Sequence, residues 1–347
     1  MSETSLYRKY RPKKFKEVLG QDHVVKVLES SIEADNISHA YIFSGSRGTG
    51  KTSVARIFAD VIGTTKNDIC EIDAASNNGV DEIRSLNEAV NSMPFDSKYK
   101  VYILDEVHMF SKGAWNALLK TLEEPPKHVI FILATTELHK VPETIISRCQ
   151  VFTFKKASDT ICRKLLLDVA KFEGFELEAG SAELLAILAD GSFRDALGEL
   201  QKILNFSKSK KIKKEDVEKI TGAPKTTLVN DFISAIAEKD LEKGISTVKI
   251  ASENNLDMKL YFKLIIQKFR IAIILRYAPK LEKEMAGDLG EADLEFLKEL
   301  TKGEGKEVFN STILATLLEA YKNMDYAFVA ELPLELALIK IISKNID

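Results

Sequence analysis

The chain has 347 residues, 45% of them apolar and 29% charged, with a formal net charge of −3. That length admits two or three domains, and 49 basic against 52 acidic residues exclude reading a nucleic-acid partner from global charge. No apolar run has the length of a membrane span, and Met1–Ser5 carries no signal-peptide core. Cys70, Cys149 and Cys162 form no CxxC pair, so neither a zinc site nor a disulfide framework is expected, and a reducing cytoplasm fits.

The N-terminal stretch Leu6 to Phe15 is basic and aromatic. Pro12 disfavours helix at Arg11, so the stretch is expected to be extended. It reads either as a strap that stacks Tyr10 or Arg11 on a nucleotide base, or as a solvated basic arm. Gly20-Gln21-Asp22-His23 is punctuation, and Val24 to Ile32 has helical periodicity. His39 to Ser44 is an apolar run that predicts a buried strand.

Gly45-Ser46-Arg47-Gly48-Thr49-Gly50-Lys51-Thr52 follows, then a helical pattern over Ser53 to Ala59. Strand, glycine loop and helix together make the P-loop context. Glycines let backbone N–H groups close around phosphate oxygens, and the helix N-terminus adds partial positive charge. Lys51 can reach the β- and γ-phosphates, and the Thr52 hydroxyl can ligate Mg²⁺.

Ile69 to Asp73 predicts a short strand, and Ala74 to Gly79 a turn capping a helix over Val80 to Asn91. Ser76 and Asn77 sit where a loop can meet a ligand or simply cap that helix. Lys100 to His108 is an apolar strand ending in the adjacent carboxylates Asp105 and Glu106, a Walker B arrangement. Asp105 can hold Mg²⁺, and Glu106 can orient and deprotonate a water. Side chains alternate along a strand, so the two can share this work only at its C-terminal end. His108 is read as structural or interfacial. Ser111 to Glu124 is an amphipathic helix stopped by Pro125-Pro126. Val129 to Thr135 is a strand buried on both faces, and a hydroxyl of Thr135-Thr136 can touch the γ-phosphate or the water. Gln150 to Phe154 predicts another strand. Alternating strands and helices make a doubly wound parallel α/β domain.

From about Lys156 the strands are expected to stop. Residues 158–222 read as short helices, one opened by Gly191 to Leu197 with Ser192 as N-cap. The run Lys208 to Lys214 is basic, either a solvated loop or a DNA contact. Thr221-Gly222-Ala223-Pro224 is a linker candidate. The rest is helical by period: Leu228–Ala237, Leu241–Glu253, Met258–Tyr277, Glu291–Lys302, Glu307–Tyr321 and a last helix after Pro333.

Several stretches together resemble the bacterial DNA polymerase III clamp-loader ATPase subunits (gamma/tau), an AAA+ family. They are Tyr7 to Pro12, Gly20-Gln21, Ser44 to Thr52, Glu71 to Ser76, Leu104-Asp105-Glu106-Val107-His108-Met109, Leu118 to Pro126, Ala134-Thr135-Thr136 and Ser147-Arg148-Cys149. The resemblance is strong to about residue 200 and architectural beyond it. It implies an AAA+ P-loop domain over 1–155, a helical lid over 156–222 and an all-α collar over 223–347 that assembles a pentamer. It implies ATP and Mg²⁺ as ligands. The nucleotide would be lined by Tyr10, Arg11, Val18, Gly45, Ser46, Arg47, Gly48, Thr49, Gly50, Lys51, Thr52 and Ser53. Thr136 would be sensor 1, Arg148 an arginine finger acting on the neighbouring subunit's site, and Arg194 sensor 2. The implied partners are delta-like and delta-prime-like subunits, a sliding clamp and primer–template DNA, with no membrane.

The chain departs from the family pattern twice. Family members carry a four-cysteine zinc module before the Glu-Ile-Asp-Ala-Ala strand, where this chain has Gly63 to Asp68, so no zinc is expected. The C-terminal extension that binds polymerase and helicase in the long form is also expected to be absent. The alternatives are a non-hydrolysing stator subunit, another AAA+ DNA-remodelling machine, and a collar protein holding nucleotide for stability alone. The intact Lys51, Thr52, Asp105 and Glu106 favour an ATPase.

Overall fold

The computed structural model describes residues 5–207, 209–281 and 291–343. The chain divides into two compact units, one of residues 1–162 with 189–198, the other of 163–188 with 199–347.

The first unit is built on five parallel strands: β1 (Ala40–Ser44), β2 (Ile69–Asp73), β3 (Lys100–Asp105), β4 (Val129–Thr135) and β5 (Gln150–Thr153), in the order β2-β3-β4-β1-β5. Their apolar runs are continuous because both faces are covered. Successive residues face opposite layers. Ala40, Ile42, Tyr102, Leu104, Phe131 and Leu133 join one core, with Ile83, Leu86, Trp115, Leu118 and Leu122. Tyr41, Phe43, Val101, Ile103, Ile130 and Ile132 join the other, with Val24, Leu28, Val54, Ile57 and Phe58. In chain order the helices begin with α1 (Leu6–Lys9), α2 (Asp22–Glu33) and α3 (Lys51–Val61). They continue with α4 (Val80–Val90), α5 (Lys112–Glu123) and α6 (Glu143–Ile146). α2 and α3 cover one face of the sheet, and α4, α5 and α6 the other. The register aligns Ser44 with Thr135, and Leu104 with Leu133. The ends of β1, β3 and β4 therefore lie side by side at one edge, where parallel α/β sheets place ligands.

The N-terminal stretch corrects an expectation. Leu6–Lys9 form one helical turn, and Tyr10 N–H closes it on the Leu6 carbonyl. Pro12 restricts only the residue before it, and Leu6 is buried, which anchors the turn.

The second unit is mainly helical. Its segments include parts of α7 (Asp159–Phe172), α8 (Ala179–Ala189) and α9 (Phe193–Phe206), then α10 (Lys214–Thr221), α11 (Thr226–Glu238), α12 (Leu241–Glu253) and α13 (Met258–Tyr277). α14 (Glu291–Lys302), α15 (Ser311–Asn323) and α16 (Leu332–Ser343) follow. Phe232, Tyr261, Phe262, Phe269 and Phe309 are among its fully buried side chains. Strands do not stop at Lys156: Glu176–Leu177 (β6) pairs in parallel with Lys211–Ile212 (β7), which buries Leu177 and Ile212. Lys208 lies outside the described residues. Of its basic neighbours, Lys210 sits 4.0 Å from the Phe175 ring centroid, and Lys214 Nζ lies 2.5 Å from Asp293 Oδ2.

The helix expected over Glu307–Tyr321 is broken. A 3-10 turn spans Glu304–Val308, and Asn310 leaves helical geometry to cap α15, its side chain accepting from Ile313 N–H. The last helix starts at Leu332, with Pro333 in its first turn, where a missing N–H costs nothing. Gly222, at φ +71, ends α10 as a left-handed cap at the expected linker.

Candidate functional site

The glycine loop runs from the end of β1 into α3, whose N-cap is Gly50 at φ +102. Gly50 has no side chain to cap that helix, so its first-turn N–H groups are left for a ligand. Lys51 is buried, and its Nζ donates to the carbonyl oxygens of Gly45 (2.8 Å) and Ser46 (3.0 Å). Burial holds its pKa below the ordinary lysine value, against the opposing charges of Glu106 and Asp105. Thr49, also buried, donates its hydroxyl to Ser46 O at 2.8 Å, while Ser46 and Arg47 are exposed.

Thr52 Oγ1 donates to Asp105 Oδ2 at 2.8 Å. A hydroxyl and a carboxylate oxygen at this separation form a hard-oxygen donor pair that suits Mg²⁺. β3 ends at Asp105, and Glu106 adopts φ +50, ψ +42, a left-handed conformation. This resolves the alternation problem: the chain turns off the strand, and both carboxylates can serve one side. A non-glycine residue held there costs about 1–3 kcal/mol, a strain that concentrates at functional sites. The Glu106 N–H donates to Asp105 Oδ1 (3.0 Å), and Thr136 Oγ1 donates to Glu106 Oε2 (3.2 Å). His108 is largely covered, its ring between Thr135, Glu106 and Glu137.

Arg11 is half-buried, and its Nε donates to Ser53 Oγ at 2.9 Å, which holds the N-terminal segment on α3. Burial lowers the Arg11 pKa from its ordinary value. Tyr10 is half-buried, with Lys9 Nζ 5.5 Å from its ring centroid. Val18 ends a 3-10 turn over Phe15–Glu17 and packs on the core beneath α2 and α3. Arg194 is exposed, its guanidinium 5.1 Å from the Tyr7 ring centroid. The N–H of Phe193 beside it donates to Gly48 O (3.0 Å). A Cβ on Gly48, at φ +74, would fall 2.0 Å from Ser192 Oγ. Ser192 also accepts from Asp195 N–H, as the N-cap of α9. Arg148 lies apart from this group: its Nη2 meets Glu123 Oε1 at 2.7 Å and its Nη1 donates to Thr144 O at 2.6 Å.

Two residues gain positions that sequence reading did not assign. Gln21 is fully buried, donates to Lys155 O at 2.7 Å, accepts from Lys155 N–H at 3.1 Å and lies 3.5 Å from Thr49 O. It ties the glycine loop to the chain leaving β5; Gly20-Gln21 carries part of the family resemblance, but nothing local in the sequence shows this bracing role. Asp68 is buried and accepts from the N–H groups of Phe95 (2.6 Å) and Asp96 (3.0 Å). It pins the Gly63–Asp68 bridge to the loop before β3. Among the described residues no group of three or more His, Cys, Asp or Glu is placed to hold a metal ion. None of the described helices is long and apolar enough to cross a membrane.

The parallel sheet order β2-β3-β4-β1-β5, with a glycine loop running from β1 into α3, makes this a P-loop α/β fold. The same fold is seen in the Holliday junction branch migration motor RuvB of Thermotoga maritima, with a TM-score of 0.53 at 20% identity over 65% of this chain and 79% of that one. A family model described as DNA polymerase III, delta subunit, matches residues 20–77 and 60–158. DNA polymerase III subunit gamma of Buchnera aphidicola is 35% identical over 306 residues, 81% of this chain and 83% of that protein. DNA polymerase III subunit tau of Bacillus subtilis is 43% identical over 303 residues, 81% of this chain and 54% of that protein. The gamma/tau subunit of Mycoplasma genitalium is 41% identical over 278 residues, 74% of this chain and 47% of that protein. This chain belongs to the DNA polymerase III gamma/tau family. It spans about half the length of the tau and gamma/tau relatives it matches.

Proposed function

We propose that the chain is an ATP-hydrolysing motor subunit of a DNA polymerase III clamp loader. In this reading ATP binding and hydrolysis drive the loading of a sliding clamp onto primer–template DNA in the cytoplasm. Its partners are delta-like and delta-prime-like subunits in a pentamer. Residues 1–155 form the ATPase domain, 156–222 the lid and 223–347 the collar. The observation that carries the reading is the convergence of Lys51, the Thr52–Asp105 pair and Glu106 at one sheet edge.

Each residue has a task that its geometry suits. The α3 N-terminus and the loop N–H groups bind the phosphates of ATP. Lys51 leaves the Gly45 and Ser46 carbonyls for the β- and γ-phosphates. Thr52 and Asp105 hold Mg²⁺, which neutralises phosphate charge when bound. Glu106 takes a proton from the attacking water through a carboxylate oxygen. Thr136 orients Glu106 and the water as sensor 1. Arg194, beside the loop, follows the nucleotide as sensor 2. Tyr10, Arg11 and Val18 cover the base. Arg148 exchanges Glu123 for the phosphate of a neighbouring subunit, where an arginine stabilises transferring charge.

The test is ATP turnover by the purified chain, alone and then with partner subunits, sliding clamp and primed DNA. Stimulation by clamp and primed DNA is expected. Bound ATP without turnover under every condition would replace this reading with the non-hydrolysing stator.

A further inference from the structure

By sequence His108 is a structural or interfacial residue. Its surroundings give it a part in chemistry. The imidazole side chain is 9% exposed and stands between two carboxylates and a hydroxyl. Nδ1 lies 3.1 Å from Thr135 Oγ1 and 3.4 Å from Glu106 Oε2. Nε2 lies 3.4 Å from Glu137 Oε1. Glu137 is anchored in turn, its N–H donating to Thr135 Oγ1 (3.0 Å) and its carboxylate facing Lys140 Nζ at 2.9 Å.

We propose that His108 is a positioning residue for Glu106, tying the proposed general base to the end of β4. The inference rests on the ATPase reading above. The geometry supports it in three ways. The imidazole and the Thr136 hydroxyl both reach the same carboxylate oxygen, Oε2. The Thr136 hydroxyl hydrogen-bonds that oxygen, and the imidazole, itself hydrogen-bonded to Thr135, stands 3.4 Å from it, so together they restrict the carboxylate rotamer and leave Oε1 to meet a water. The backbone of Glu106 is left-handed, so its side chain is aimed by a conformation that needs outside support. The other edge of the ring leans on Glu137, which β4's own last residues hold in place. A side chain that reaches the base and the β4 end together transmits any shift at Thr135-Thr136 to Glu106. Movement of the β4 end on nucleotide binding therefore changes where the base points.

The test compares His108→Ala, His108→Asn and His108→Gln by ATP affinity, kcat and thermal unfolding. An asparagine amide falls near the Nδ1 position and can still reach Glu106 and Thr135. A glutamine amide falls near Nε2 and reaches Glu137 instead. His108→Ala is expected to lower kcat about 10- to 100-fold with ATP affinity changed less than about twofold. His108→Asn is expected to recover more of that loss than His108→Gln. On a Glu106→Gln background, His108→Ala is expected to add little further loss, because both act on one group. Unchanged kcat in His108→Ala overturns the proposal. So does an equal rescue by Asn and Gln, or a parallel fall in ATP affinity and unfolding temperature, each of which marks a purely structural histidine. A wild-type chain that hydrolyses no ATP with its partners, clamp and primed DNA overturns the ATPase reading first, and this inference with it.

Discussion

The Thr52 hydroxyl donates to Asp105 across 2.8 Å, joining the first turn of α3 to the end of β3 over a sequence separation of 53 residues. Both groups supply oxygen. Thr52→Ala removes one of the oxygens proposed to hold Mg²⁺, at a stability cost of about 1 kcal/mol. MgATP affinity is expected to fall about 10- to 100-fold, with affinity for ATP in EDTA little changed and Thr52→Ser close to wild type. Titration of a fluorescent ATP analogue with and without Mg²⁺ checks this; equal MgATP binding by Thr52→Ala would remove Thr52 from the metal site.

Glu106→Gln keeps an acceptor for the Thr136 hydroxyl but has no basic oxygen. The variant is expected to bind ATP as wild type does and to lose about 10²- to 10⁴-fold in turnover. Single-turnover hydrolysis gives the number. Normal turnover would mean that another group takes the proton.

Arg148 is partly exposed in its pair with Glu123, and such pairs contribute about 0–1 kcal/mol. Arg148→Ala is therefore expected to fold and to bind ATP normally when alone. If the guanidinium serves a neighbour's phosphate, DNA-stimulated turnover of the assembled ring falls about 10³- to 10⁵-fold. An unaltered stimulated rate would sink that role.

Gly48→Ala puts a methyl into Ser192 Oγ at a left-handed backbone position. The conformation alone costs about 1–2 kcal/mol, and the clash strains the Phe193–Gly48 hydrogen bond. ATP binding is expected to drop sharply. Removing the hydroxyl in a Gly48→Ala, Ser192→Ala double variant is expected to restore part of it, a non-additivity read by a double-mutant cycle.

Asp68 predicts an acid dependence. Burial alone would raise its carboxyl, but the N–H groups of Asp96 and Phe95, with the Ser97 and Thr65 hydroxyls, outweigh it and bring the pKa from 3.8 to about 2. A depressed folded-state pKa gives stability that is present above the unfolded value and lost as pH falls from about 4 through about 2. Asp68→Ala is expected to cost about 2–4 kcal/mol at neutral pH by stranding two N–H groups. Urea unfolding at pH 7 and below pH 4 measures both, and the gap between variant and wild type should narrow in acid.

Much of the first unit was legible because its signals are local. An apolar run of seven residues, Val129–Thr135, has one way to satisfy burial on both faces, and its bounds as β4 match the run. Leu241–Glu253 and Met258–Tyr277 likewise match their helical period. The structure departs from the local pattern where a tertiary contact outweighs it. Buried Leu6 draws a helical turn from a stretch that Pro12 marks as extended, and the Asn310 cap divides a helix whose period runs on unbroken.

The sequence by itself determined the glycine loop, the paired carboxylates and the alternation of strands and helices, because each is a relation between near neighbours in the chain. Only the tertiary structure decided that Thr136 reaches Glu106, that His108 stands between Glu106 and Glu137, that Arg194 lies over Tyr7, and that Gln21 braces the loop. Those relations depend on which strand ends lie side by side. That order is set by burying two apolar faces of one sheet at once, a condition no single segment carries.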